Sequence, residues 1–178
     1  MKESVLKNWN GHIIPLITVF IAVAMLLLTP IWAFQSYKEP FLGMLLEPNN
    51  VVSQISGEGW PAREAGVEWS DRLTKINGQN VTTPAELRTI LTETGYAPVD
   101  VTFEKRSDEE FTLELTPIHA PLSDFITLFI IPYLVGLIFL AAGLWAYKIR
   151  PDLRASRAFL TFAAALSVTT VAFVDMNT

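Results

Sequence analysis

The sequence contains no cysteine and only two histidines, His12 and His119. Without cysteine the chain forms no disulfide, no thiolate metal site and no thiol nucleophile. The two histidines lie near the ends of different apolar runs, and a lone histidine lacks the partners that a metal ion requires. We therefore expect neither a bound metal nor a cofactor.

The motifs of common enzyme classes are also missing. The sequence has no His-Glu-x-x-His, no Gly-x-Ser-x-Gly and no phosphate-binding glycine loop. These motifs mark zinc proteases, serine hydrolases and nucleotide-dependent enzymes, respectively. We therefore predict that the chain is not an enzyme.

Charge is modest and apolar residues are abundant. The net charge is -5, 51% of residues are hydrophobic, and the mean hydropathy is +0.35. An acidic balance does not favour nucleic acid, so we expect no nucleic-acid partner. The hydrophobic share favours a membrane protein, with the lipid bilayer as its first partner.

Three apolar runs are predicted to be transmembrane helices. They cover residues 12–34, 122–147 and 158–175, and about 20 such residues span a bilayer. The first run is longer than the core of a cleaved signal peptide, and no small-x-small cleavage site follows it. The third run is short, and its small residues suit helix–helix contact: Ala163, Ala164, Ala165 and Ser167. The chain thus has the pattern of the front of a longer membrane protein, or of a short version of one.

Basic residues predict the orientation of these helices. They cluster before the first run and between the second and third runs, at Lys2, Lys7, Lys148, Arg150, Arg154 and Arg157. The segment 118–124 has no lysine or arginine. By the positive-inside rule, residues 1–11 and 148–157 are cytoplasmic. Residues 35–121 then lie outside a multi-pass protein of the cell membrane.

Residues 35–121 carry the signals of a small domain with strands and one main helix. Strands are indicated at 51–55, 72–76, 99–104 and 111–115 by alternating apolar residues. Asn77-Gly78 predicts a hairpin turn, and Pro61 to Ala65 predicts a short helix closed by Gly66. Thr83-Pro84-Ala85-Glu86 is a capping box that predicts a helix ending at Gly95.

The order of these motifs resembles the bacterial PDZ domain in its permuted strand order. The motifs are Phe41-Leu42-Gly43-Met44, the Pro-Ala-x-x-Ala-Gly turn at 61–66, the Asp-x-Leu-x-x-Ile-Asn-Gly hairpin at 71–78, and Thr-Pro-Ala-Glu-Leu at 83–87. The resemblance implies an α+β fold, a small PDZ-like domain of antiparallel strands with one main helix, here flanked by three transmembrane α-helices. Two residues depart from the family pattern: Trp60 stands at a usually small position, and Ser70 stands where glycine usually precedes Asp71.

The resemblance also implies a ligand, which is a protein C-terminus or an extended peptide that adds to the sheet as a strand. The loop amides of Leu42, Gly43 and Met44 would bind its terminal carboxylate. The expected peptide-binding residues are Leu42, Gly43, Met44, Leu46, Leu87 and Leu91, all of which also suit ordinary core positions. On this basis Gly43→Val is expected to abolish peptide binding while leaving the domain folded.

Two functions remain open. The helices around residues 133–160 resemble the membrane region of bacterial multi-pass sensors, in which an outer domain precedes a cytoplasmic kinase or other output domain. This chain would then be an input module of the histidine-kinase-like class. The alternative is a membrane-tethered adaptor that presents exported proteins to a protease or secretion machine.

The predicted orientation is tested with cysteines introduced at Ser107 and Ser156. An impermeant thiol reagent added to intact cells is expected to label the first and not the second, because the basic residues place Ser156 in the cytoplasm. The native chain lacks cysteine and serves as the blank. Labelling of Ser156 but not Ser107 would show that the orientation is reversed.

Overall fold

The structure is a computed structural model that describes the backbone of residues 2–172 and the side chains of residues 12–172 except Pro48. The described residues divide into two compact units. One contains residues up to 33 together with 125–172, and the other contains residues 34–124.

The first unit is helical. It contains most of α1 (Lys2–Tyr37), the greater part of a long helix from Leu122 to Ile149, and α6 (Arg154–Val171). The long helix consists of α4 (Leu122–Phe125), a π-helical segment (Ile126–Ile130) and α5 (Ile131–Ile149).

Helices α5 and α6 approach each other closely because glycine and alanine meet at their contact. A Cβ atom placed on Gly143 would lie 2.8 Å from the Cβ atom of Ala163. Ala163, Ala164 and Ser167 are buried as their small size suggested, whereas Ala165 is exposed. The Tyr133 hydroxyl adds a polar link to α1 by donating to the Leu26 carbonyl oxygen at 3.0 Å. Small residues therefore allow packing that larger side chains would prevent.

Two helices in the described part of the chain are long and apolar enough to cross a membrane. They are His12–Tyr37 and Leu122–Ile149. The third predicted span, 158–175, has no counterpart of this kind among the described residues. The helix there begins at Arg154 and ends at Val171, and its first turn contains Arg154 and Arg157, which lower its hydropathy. Residues 173–175 of that prediction lie outside the described residues.

The second unit contains an antiparallel sheet, two α-helices and a 3-10 helix (Pro48–Asn50), an α+β arrangement. Its elements are β1 (Leu46–Glu47), β2 (Val51–Val52), α2 (Pro61–Glu64), β3 (Arg72–Ile76), β4 (Gln79–Asn80), α3 (Pro84–Thr94), β5 (Val99–Glu104) and β6 (Glu110–Leu115). The sheet order is β1-β2-β3-β5-β6, and β4 pairs with β3. All pairings are antiparallel.

Local sequence signals account for most of these boundaries. Asn77 and Gly78 both have positive φ and join β3 to β4, as the hairpin signal predicted. Strand β2 is shorter than the predicted 51–55. After Val52 the Ile55 amide donates to the Ser53 hydroxyl, and such local side-chain bonds compete with a regular ladder.

The core of the second unit lies between α3 and the sheet. Phe103 and Val101 of β5 and Ile76 of β3 are completely buried, and Leu73 and Leu87 are 1% exposed. The strands contribute alternate residues, and α3 contributes Leu87 and Leu91. One continuous apolar cluster therefore joins the helix to the strands.

The predicted capping box at the start of α3 is confirmed. The Glu86 amide donates to the Thr83 hydroxyl at 3.3 Å, and the Glu86 carboxylate accepts from the Thr82 and Thr83 amides at 2.7 and 3.2 Å. The amide and hydroxyl of Thr82, followed by the Thr83 amide, hold the pKa of Glu86 below its ordinary value. Because the pKa is lowered in the folded state, this contribution to stability is present at neutral pH and is lost as the pH falls through that lowered value.

Replacing Thr83 by alanine is expected to loosen α3. The substitution removes the cap, which contributes about 1 kcal/mol, so hydrogen exchange of the α3 amides should accelerate roughly fivefold. Thr89→Ala is the matched control, because Thr89 lies within α3 and bonds only to the carbonyl oxygen of Ala85 four residues earlier. Equal exchange rates in the two variants would contradict a role for the cap.

Candidate peptide-binding groove

The loop at Leu42–Met44 has the backbone conformation that its glycine predicts. Gly43 has φ +80°, a region that residues with a side chain rarely occupy. A Cβ atom here would lie 2.5 Å from Pro61 N and would also overlap the proline ring. The Ala62 amide donates to the Leu42 carbonyl oxygen at 3.2 Å. The loop is therefore held against the start of α2.

The three amides of this loop have no hydrogen-bond acceptor in the described structure, although the residues that carry them are buried. Among the described residues, the N–H groups of Leu42, Gly43 and Met44 donate to no protein acceptor. Consecutive backbone N–H groups around a residue at positive φ form a concave site for an anion. These are the same amides to which the sequence resemblance assigned a ligand carboxylate.

Strand β1 offers an edge beside the loop. Within the described sheet, β1 pairs only with β2, through Leu46↔Val52 and Glu47↔Val51. Its other side keeps backbone groups that an added strand would satisfy. The glycine loop and this edge are consecutive in the chain, so one extended peptide would reach both.

The apolar residues predicted to line the groove belong to one cluster. Leu42, Met44, Leu46, Leu87 and Leu91 are each at most 6% exposed and pack together in the core. The structure thus brings all five together. It leaves little of their surface accessible, so a ligand side chain would enter by displacing some of them.

Trp60 explains one departure from the family pattern. The side chain is 1% exposed and meets the ring of Phe41 edge-on, with centroids 4.9 Å apart. Its Nε1 donates to Asp124 Oδ2 at 2.6 Å. The sequence placed Trp60 only in a turn and gave no signal for Asp124 as its partner. The second departure is serine in place of glycine at position 70. It is confined to that residue, because Ser70 adopts φ +79°, a backbone conformation usual for glycine.

Helix α3 is bonded to the segments that precede and follow the domain. Arg88 Nε donates to Glu39 Oε2 at 2.9 Å. The Tyr96 hydroxyl, just beyond α3, lies 3.4 Å from the Lys38 carbonyl oxygen and 2.8 Å from His119 Nδ1. Sequence reasoning missed these contacts, since they join residues 23 to 58 positions apart.

A pocket lies at the glycine loop, with Gly43 in its lining. This pocket of about 180 Å³ is lined by residues that include Met44, Ile55, Arg63 and Trp69. Trp69 is 53% exposed, and the Arg106 guanidinium lies over its ring at 4.8 Å. No group of three or more histidine, aspartate or glutamate side chains suited to a metal occurs in the described residues.

Comparison with known proteins supports a PDZ domain in this part of the chain. Residues 56–105 match the family model described as PDZ domain. Among solved structures, the chain is similar to the PDZ domain of EpsC from Vibrio cholerae, with 17% identity and a TM-score of 0.30, over 45% of this chain and 95% of that one. No curated protein matches the sequence. The family match thus covers residues 56–105, from the segment before α2 to the end of β5.

The packing of Gly43 bears on the expectation that Gly43→Val would leave the domain folded, because any Cβ atom at this position meets Pro61. Gly43→Ala is expected to destabilise the chain by about 1–2 kcal/mol for the backbone conformation and by about 1–3 kcal/mol for the collision with Pro61. Gly66→Ala is the matched control, since Gly66 has φ +89° but nothing within 4 Å of its Cβ position. Thermal unfolding in detergent should show a larger loss for Gly43→Ala. Equal losses of stability in the two variants would mean that Pro61 moves aside without an energetic cost.

Proposed function

We propose that the chain is a membrane-anchored module whose extracytoplasmic domain binds a protein C-terminus or extended peptide and serves as the input of a signalling protein. The observation that carries this proposal is the set of free amides at Leu42, Gly43 and Met44 beside the open edge of β1. The family match at 56–105 supports the same kind of ligand.

The anchor in this proposal consists of the two candidate spans. They precede and follow the domain in the sequence, at His12–Tyr37 and Leu122–Ile149. The asymmetry of basic residues favours a cytoplasmic N-terminus and an outer domain of residues 35–121. The domain would then meet exported proteins or fragments of them.

The segments that flank the domain favour a sensor over an adaptor. Glu39 and Lys38 on one side and His119 on the other are bonded to Arg88 or Tyr96, at or just after α3. A ligand that shifts α3 would therefore change contacts in both flanking segments. In a sensor this change would reach a cytoplasmic kinase or other output domain, whereas a tethered adaptor needs no such coupling.

The full chain in lipid nanodiscs is expected to bind members of a hexapeptide library that end in a free carboxylate. Amidated versions of the same peptides should bind at least about tenfold more weakly, because they lack the charge that the loop amides accept. Fluorescence anisotropy of labelled peptides measures both. Equal affinity for the two forms would contradict carboxylate recognition, and no binding at all would remove peptide recognition.

Flexible insertions on both sides of the domain then distinguish the sensor hypothesis from the adaptor hypothesis. Gly/Ser linkers at Lys38 and Ala120 should preserve peptide affinity but abolish any ligand-dependent change in distance between spin labels at Ile14 and Ile149. The same linker at Ser107, in the turn between β5 and β6, is the control. A chain that binds peptide without any distance change would favour the adaptor.

A further inference from the structure

Three helices of the first unit bring polar side chains together at one end. His12 lies at the start of the first candidate span, Tyr147 lies near the end of the second, and Arg157 lies in the first turn of α6. His12 Nδ1 is 2.8 Å from the Tyr147 hydroxyl, and the two rings meet edge-on with centroids 6.1 Å apart. Arg157 Nη1 is 3.5 Å from His12 Nε2. All three residues are half-buried and form one polar cluster.

The hydrogen atoms of this cluster cannot all find acceptors within it. If His12 Nε2 accepts from Arg157, then Nδ1 donates to Tyr147, and the hydroxyl hydrogen has no acceptor among the described residues. If Nδ1 instead accepts from Tyr147, a hydrogen on Nε2 faces a hydrogen of Arg157. A doubly protonated ring adds one more donor and no acceptor. In each state the cluster therefore presents N–H or O–H groups that an added acceptor would satisfy.

The charge of Arg157 also lacks a counterion in the described part of the chain. The three ion pairs there lie within residues 39–110, and Arg157 takes part in none of them. Asp152 is the only acid in the segment 148–157, and it is exposed. A partly buried cation without a partner is unfavourable, and a water molecule brings no charge to balance it. The acceptor that suits this cluster is therefore an anion.

The position of the cluster indicates the source of that anion. In the proposed membrane anchor, His12 and Ile149 are the ends of the two spans, where hydrocarbon gives way to lipid headgroups. The Trp145 side chain at this end is exposed, as is typical of tryptophan at a membrane interface. The segment beside the cluster contains three further cations: Lys148, Arg150 and Arg154. Basic pockets between transmembrane helices are sites for anionic headgroups.

Resting on the proposed membrane anchoring, we propose that this cluster binds the phosphate of an anionic phospholipid headgroup in the cytoplasmic leaflet. Arg157 and Tyr147 donate hydrogen bonds to phosphate oxygens, and His12 holds the two side chains beside each other. A planar guanidinium suits phosphate because it donates two parallel hydrogen bonds. A zwitterionic headgroup carries a cation of its own, which the basic segment 148–157 repels, so the site selects anionic lipid.

The full chain in neutral detergent micelles tests the site, with phosphatidylglycerol and phosphatidylcholine as probes and native mass spectrometry as the measure of affinity. Phosphatidylglycerol is expected to bind about fivefold more tightly, the effect of one basic residue on an anionic lipid. Arg157→Gln should weaken phosphatidylglycerol about tenfold or more, because it removes charge-assisted hydrogen bonds. Arg150→Gln is the matched control, since it removes an equal charge from an exposed residue of the same segment.

A second pair of variants tests the hydroxyl without changing charge. Tyr147→Phe should weaken phosphatidylglycerol about two- to tenfold. Tyr133→Phe should leave the affinity unchanged, because that hydroxyl already donates to the Leu26 carbonyl oxygen at 3.0 Å. Circular dichroism checks that all four variants keep their helices. Inorganic phosphate added in excess should not displace the lipid, whose acyl chains also contact the protein.

Three results would contradict the site. Equal weakening by Arg157→Gln and Arg150→Gln would mean that general surface charge attracts the lipid. An unchanged affinity in Tyr147→Phe would exclude the cluster, and displacement by inorganic phosphate would show a site for free phosphate instead of lipid. A native chain that binds peptides but does not prefer phosphatidylglycerol would overturn this inference alone. A chain that enters neither micelles nor bilayers would overturn the proposed anchor as well.

Discussion

The domain depends on the close approach of its glycine loop to the start of α2. Gly43 lies against Pro61 with no room for a side chain, and the Ala62 amide bonds to the Leu42 carbonyl oxygen. This approach fixes the loop backbone, and the described part of the chain supplies no acceptor to three consecutive amides there. Backbone groups held in place before a ligand arrives need no ordering when it binds, which lowers the entropic cost of binding.

The loop amides have no partners in the domain, whereas the apolar residues predicted to line the candidate groove are already packed in its core. Leu42, Leu87 and Leu91 are buried in the same cluster that stabilises the domain. Admitting a ligand side chain would exchange one set of apolar contacts for another. Such an exchange changes the free energy little when the ligand side chain matches the volume of the side chain that it displaces, and it is unfavourable when the volumes differ. Under the proposed function, core packing would therefore contribute to the selection of a ligand by side-chain size.

The sequence predicted the elements of the domain that rest on local chemistry. The capping box at Thr83, the turn at Asn77-Gly78 and the strands Arg72–Ile76 and Val99–Glu104 all appear where the residues indicated. Each depends on side chains within a few positions of one another, which a single sequence displays. The short β2 is an exception, because a local serine bond competes with the ladder.

Contacts between distant positions were not predictable in the same way. Nothing near Trp60 indicates that its indole meets Asp124, and nothing near Arg88 indicates Glu39. Polar partners far apart in sequence have no periodic pattern to reveal them. The collision between a side chain at position 43 and Pro61 was unpredictable for the same reason, since Pro61 is 18 positions away.

The paired backbone of Phe41 and Ile118 has a consequence for how such a protein is assembled from parts. An antiparallel bridge holds its two α-carbons about 5 Å apart, so the chain enters and leaves the domain at nearly the same point. A unit with adjacent ends is a suitable insert, because a host chain accepts it wherever two neighbouring residues are already close. Recombination could exchange this domain for another with similarly placed ends and keep the same pair of apolar helices.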